Sequence, residues 1–137
     1  MKIAVAIDGS DYAFRAAEHA VTLAKHFPTS EIIIIFVKDY SKAKDEYLTA
    51  QSVESMDLKR EQKIQPIIEL AKKTNIETST VILSGKPSYE IIQYVNNNAV
   101  DHLVLGSRGL NTLQEMILGS VSHKVMKHVE CPVTIVK

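Results

Sequence analysis

"HLVLGSRGLNTLQEMILGS" spans residues 102–120 and opens with an apolar run that ends on a glycine. That run predicts a short buried strand over 102–105. Gly106 and Gly109 then let the backbone turn sharply and leave room for a ligand to approach it. After nine further residues come Gly119 and Ser120, where a helix is predicted over about 120–129. The stretch therefore reads as strand, glycine turn, excursion and helix.

The same grammar runs outward along the chain. Residues 3–7 and 31–38 are continuous, β-branched-rich runs, the pattern of strands covered on both faces. Residues 78–83 and 132–136 complete five strands. Ser10 can cap a helix reaching about residue 27, with an apolar stripe of Ala13, Ala17, Ala20 or Val21, and Ala24. Residues 40–75 are polar and form one long helix or two, with a loose start near 41–49 and a break or kink at Pro66. Ile64, Ile67, Ile68 and Ala71 give that helix its core face. Pro87 opens a third helix, carrying Ile91, Ile92 and Val95, and Asn96 to Asn98 close it.

Strands alternating with helices argue for an α/β fold, a parallel sheet with helices on both faces. Ligands of such sheets sit beyond the carboxyl ends of the strands, where strand order reverses. The loops after Ile7, Val37, Leu83 and Leu105 are thus the first places to look.

Composition narrows the partners. Sixteen Lys and Arg balance sixteen Asp and Glu, so nothing here suits a polyanion such as nucleic acid. No apolar run is long enough to span a membrane, and the first residues read as a buried strand, not a leader. A lone Cys131 makes no internal disulfide and reads as a small buried filler. A single domain over 1–137 in the cytoplasm is expected.

Residue chemistry points to the loops around Gly106 and Gly119. The first amides of a helix lack internal partners and bind phosphate, and Ser120 and Ser122 add hydroxyls. Leu110, Leu113, Met116, Ile117 and Leu118 are expected to pack down and bring the chain back. The plainer alternative is a pair of loop glycines and an N-cap serine. Asp8 either meets a ligand or closes its strand by accepting local turn amides. Arg108 either reaches a phosphate or is a solvated loop residue. Tyr12 and Tyr89 line the crevice or pack in the core. His19 with His26, and His123 with His128, read as surface residues, not metal ligands. No G-x-G-x-x-G, P-loop or G-x-S-x-G motif occurs.

Gly106-x2-Gly109-x9-Gly119-Ser120, with "IAVAIDGS", "SGKPSYEII" and "LGSVSHKVMKHVECPVTIVK", resembles the universal stress protein family along nearly the whole chain. The resemblance implies a Rossmann-like domain with a five-stranded parallel sheet in order 3-2-1-4-5. It implies ATP binding, with Mg2+ or Mn2+ carried by the phosphates. By that resemblance Asp8 contacts the adenosine part, the Val37 backbone meets adenine and Gly106 lies near the ribose. Gly109, Gly119 and Ser120 cradle phosphate, and Val121 and Ser122 extend the cradle. Gln114 and Glu115 stand where the family is often basic, and residues 40–63 carry no family signature. The expected role is a stress-response sensor or adaptor. The alternatives are a slow Mg-dependent ATPase using Asp8, or a nucleotide-free interaction module. A homodimer through the last strand, from Pro132 to the β-formers Val133, Thr134, Ile135 and Val136, follows from its place at a sheet edge.

Overall fold

The computed structural model describes residues 1–39, 50–109 and 118–137, with only the backbone of 50–53. Five strands, β1 (Lys2–Ile7), β2 (Glu31–Lys38), β3 (Glu77–Ser84), β4 (His102–Gly106) and β5 (Val133–Val136), alternate with four helices. These are α1 (Asp11–Ala24), α2 (Ala50–Lys73), α3 (Pro87–Asn97) and α4 (Ser120–His128). The sheet is parallel in order β3-β2-β1-β4-β5. The expected order is therefore observed.

Alternation along the strands sorts the core into two layers. Ile3, Val5, Ile32, Ile34 and Val104 face α1 and α2, meeting the alanine stripe of α1 and Ile64, Ile67 and Ala71 of α2. Ala4, Ile33, Ile35, Leu103 and Leu105 face α3 and α4, meeting Ile91, Val95 and Val125. Both faces being covered is why β1 and β2 read as unbroken apolar runs. The alanines Ala13, Ala16, Ala17 and Ala20 give α1 a low profile, and it contacts β1, β2, β4 and β5.

Four details depart from expectation. Helix α1 ends at Ala24, not near Phe27, because the His26 and Phe27 amides bond three residues back, to Leu23 and Ala24. Pro66 does not break α2, which runs through it. The ring's φ suits a helix, and the hydrogen bond it deletes, to Gln62, lies between two exposed residues. Tyr89 is 59% exposed, so it packs in no core. Cys131 is half-buried against the α3–α4 layer, where burial pushes its thiol pKa up. The loose start at 41–49 and the packing of Leu110, Leu113, Met116 and Ile117 lie outside the described residues, as do Gln114 and Glu115.

Candidate functional site

Strand order reverses between β2 and β4, on either side of β1, and the crevice opens there. Ser10 caps α1: its side chain accepts from the Ala13 amide at 3.2 Å. Asp8 Oδ1 accepts from the Ser10 amide at 2.9 Å. The local-turn reading of Asp8 is therefore correct for one of its oxygens. The other oxygen lies beside Gly109. A Cβ built on Gly109 would stand 2.6 Å from Asp8 Oδ2, so loop and carboxylate abut.

Gly106 serves a second purpose. A Cβ there would meet the Tyr12 carbonyl carbon and oxygen at 2.9 Å. The glycine lets the first turn of α1 lie directly on the end of β4. This packing reason is not visible in spacing.

The ends of the 110–118 excursion are joined. The Gly119 amide donates to the Ser107 carbonyl at 2.7 Å, and the Ser107 amide donates to the Val136 carbonyl at 2.7 Å. Ser122 Oγ donates to the Gly106 carbonyl at 2.7 Å. So Ser122 spends its proton locking α4 to β4 and meets a ligand only as an acceptor. Gly119, not Ser120, is the N-cap of α4, and no side chain caps that helix. The plain N-cap reading of Ser120 is thereby set aside. Among the described residues no side chain accepts from the first-turn amides of α4, the condition that suits an anion.

These elements enclose a cavity of about 350 Å³, within the range of small-molecule sites. Asp8, Val37, Gly106, Arg108, Gly109, Gly119, Ser120, Val121 and Ser122, all nine residues singled out from the sequence, line it. The β2 end is finished by Phe36, Asp39, Lys63, Pro87 and Ile91, which sequence reasoning missed. Arg108 stands with its guanidinium carbon 5.9 Å from the Tyr12 ring centroid. Tyr12 is half-buried beside Gly106, and neither Tyr12 nor Tyr89 is among the lining residues. His19, His26, His123 and His128 are exposed. Among the described residues, no three His, Cys, Asp or Glu side chains group to hold a metal ion. No helix of the described residues is long and apolar enough to cross a membrane.

Comparison with known proteins agrees with the fold. The sequence profile of the universal stress protein family matches residues 1–137. The universal stress protein YxiE of Bacillus subtilis is 34% identical over 151 aligned residues, covering 99% of this chain and 98% of YxiE. The solved structure of the Methanocaldococcus jannaschii universal stress protein MJ0577 superposes with a TM-score of 0.89 at 28% identity, over 99% of this chain and 94% of that one. An Arabidopsis thaliana family member, solved with AMP bound, shares the fold at a TM-score of 0.70 and 24% identity, over 100% of this chain and 91% of that one. The chain belongs to the universal stress protein family.

Proposed function

We propose that this protein binds ATP in the crevice between β1 and β4 and works as a nucleotide-dependent sensor or adaptor. One observation carries the reading: the nine residues named from the sequence, scattered from Asp8 to Ser122, line a single cavity. Its two ends differ as a nucleotide's do. Val37, Phe36, Pro87 and Ile91 offer an apolar slot for a base. The uncapped amides of α4, with Gly109 and Arg108, suit phosphates. AMP in the Arabidopsis relative, whose likeness extends to the fold, is consistent with this.

A divalent Mg2+ or Mn2+ ion would arrive on the phosphates, since the described residues build no metal cluster of their own. Asp8 holds the α1 turn and abuts Gly109, which favours a positioning role over that of a general base. Turnover is accordingly slow or absent. A homodimer through β5, in the cytoplasm, completes the proposal.

The test is calorimetric titration with ATP and Mg2+, run beside a phosphate-release assay and competition by GTP. Micromolar or tighter ATP binding without release supports the reading. Release that Asp8→Asn abolishes would establish the slow ATPase instead. Absence of ATP binding would leave the interaction module. Equal affinity for GTP would remove the Val37 backbone as the reader of adenine.

A further inference from the structure

Among the described residues two cations line the cavity, Arg108 on the β4 side and Lys63 on the β2 side. Nothing in the sequence motif covers the second. Lys63 comes from α2, in the turn before Pro66, and reaches over the β1–α1 turn. Its stem lies so close to Gly9 that a Cβ there would stand 2.5 Å from Lys63 Cδ and 2.7 Å from Cε. Gly9 has φ +86°, so the chain turns away beneath the lysine with no side chain in its path. The ammonium stands 5.9 Å from the centroid of the Phe36 ring, itself a lining residue.

The charge of Lys63 is not spent. The ion pairs among the described residues join Lys38 and Arg60 to Asp57, at 3.9 and 2.8 Å, and neither involves Lys63. An aromatic face steadies an ammonium without neutralising it or accepting its protons as an oxygen or nitrogen would. An ammonium carries three donors and no acceptor. Asp8 and Asp39 line the same cavity without an ion pair to Lys63 among the described residues, so the ammonium can donate to a ligand there.

Position decides which part of the ligand supplies it. Lys63 touches the β1–α1 turn and the end of β2, whereas the uncapped amides of α4 lie beyond β1 beside β4. A nucleotide with its phosphates on α4 places its nucleoside toward Lys63. Resting on the ATP reading above, we propose that Lys63 is a nucleoside-recognition residue, donating to a ring nitrogen or ribose oxygen of the bound nucleotide. Gly9 is then the clearance that lets a lysine from α2 reach that far.

The experiment compares wild type, Lys63→Met and Lys63→Arg for binding ATP, AMP, adenosine and inorganic tripolyphosphate by calorimetry. Methionine keeps an unbranched stem over Gly9 and removes only the donor, and an unchanged melting temperature verifies the fold. Lys63→Met is expected to weaken ATP, AMP and adenosine by a common factor of about tenfold, as for losing a charged hydrogen bond, and to leave tripolyphosphate unchanged. Lys63→Arg is expected to recover part of the loss. Unchanged ATP affinity in Lys63→Met overturns the proposal. So does a loss that grows from adenosine to AMP to ATP, because the lysine would then serve the phosphates. Wild type that binds none of the three nucleosides and nucleotides refutes the ATP reading itself, a result distinct from either.

Discussion

Replacing Gly106 with alanine separates the two reasons for that glycine. Its φ is not in the left-handed region, since the positive-φ glycines are Gly9 and Gly85. Alanine therefore meets no backbone strain at this site, only neighbours. The added methyl would lie 2.9 Å from the carbonyl carbon and oxygen of Tyr12 and 3.0 Å from its Cβ. Ordinary carbon contacts are about 3.5–4.0 Å, so α1 must move off β4 by about half an ångström or more. Main-chain atoms cannot rotate aside as a side chain would, and the Ala13–Ala24 stripe beneath leaves no slack. Overpacking of this kind costs about 1–3 kcal/mol. Lower unfolded-state entropy returns about 0.4–1 kcal/mol of it. The net expectation is a loss of about 1–2 kcal/mol, read as a lower urea midpoint with an unchanged m-value. Stability within about 0.5 kcal/mol of wild type, with nucleotide affinity lost, would refute the packing argument. Gly106 would then serve ligand approach alone.

Four further outcomes are expected. Gly119→Val is expected to weaken ATP binding at least tenfold with helical circular dichroism retained, since a branched side chain would crowd the first amides of α4; unchanged affinity removes Gly119 from the site. Ala99 holds φ +52° at the turn into β4, so Ala99→Gly should stabilise by up to about 1 kcal/mol in urea titrations, and a loss would show that the methyl packs usefully. The pKa of His102 is lowered by burial and secondarily by His19; its contribution to stability is therefore present above the ordinary histidine pKa and lost as pH falls through the lowered one. Melting across pH 5–7.5 should show a decline on the acid side that is shallower in His102→Gln. In light scattering at micromolar concentration the wild type is expected to be a dimer, Ile135→Pro a monomer and Ile135→Ala a dimer; a wild-type monomer refutes the β5 interface.

The choice of Ile135 follows from the ladder. The Pro132 and Val136 carbonyls accept from Leu103 and Ser107 on the β4 side. Backbone groups of a parallel strand alternate in direction, so Thr134 also bonds inward and Val133 and Ile135 present theirs outward. Thr134 is further tied down by its hydroxyl, 2.7 Å from His102 Nε2. A proline at 134 would unpick β5 from β4 and report on folding, whereas one at 135 removes an outward donor.

Fold and site were not equally legible in the sequence. Strands buried on both faces leave unbroken apolar runs, so β1, β2 and β4 could be read within a residue of their ends. Helix α1 was read three residues too long because its apolar stripe stops at Ala24, while the polar residues that follow fit a helix or a turn equally well. The glycine and serine positions around Gly119 were legible because a helix start and the turn before it have local sequence signals. The β2 end was not. Lys63 sits on a helix whose exposed face is largely polar and charged, and a lysine there looks the same whether it faces water or a ligand. What distinguishes it is Gly9, fifty-four residues earlier, and no periodicity connects the two. Gly9 lies inside "IAVAIDGS", a stretch that resembles the family, where spacing gives it no role of its own. Its bare Cα becomes informative once α2 lies across it, since a glycine is a signal about its neighbours as much as about its own φ. The masked reason is tertiary in both cases: Gly106 makes way for the Tyr12 main chain, and Gly9 makes way for Lys63.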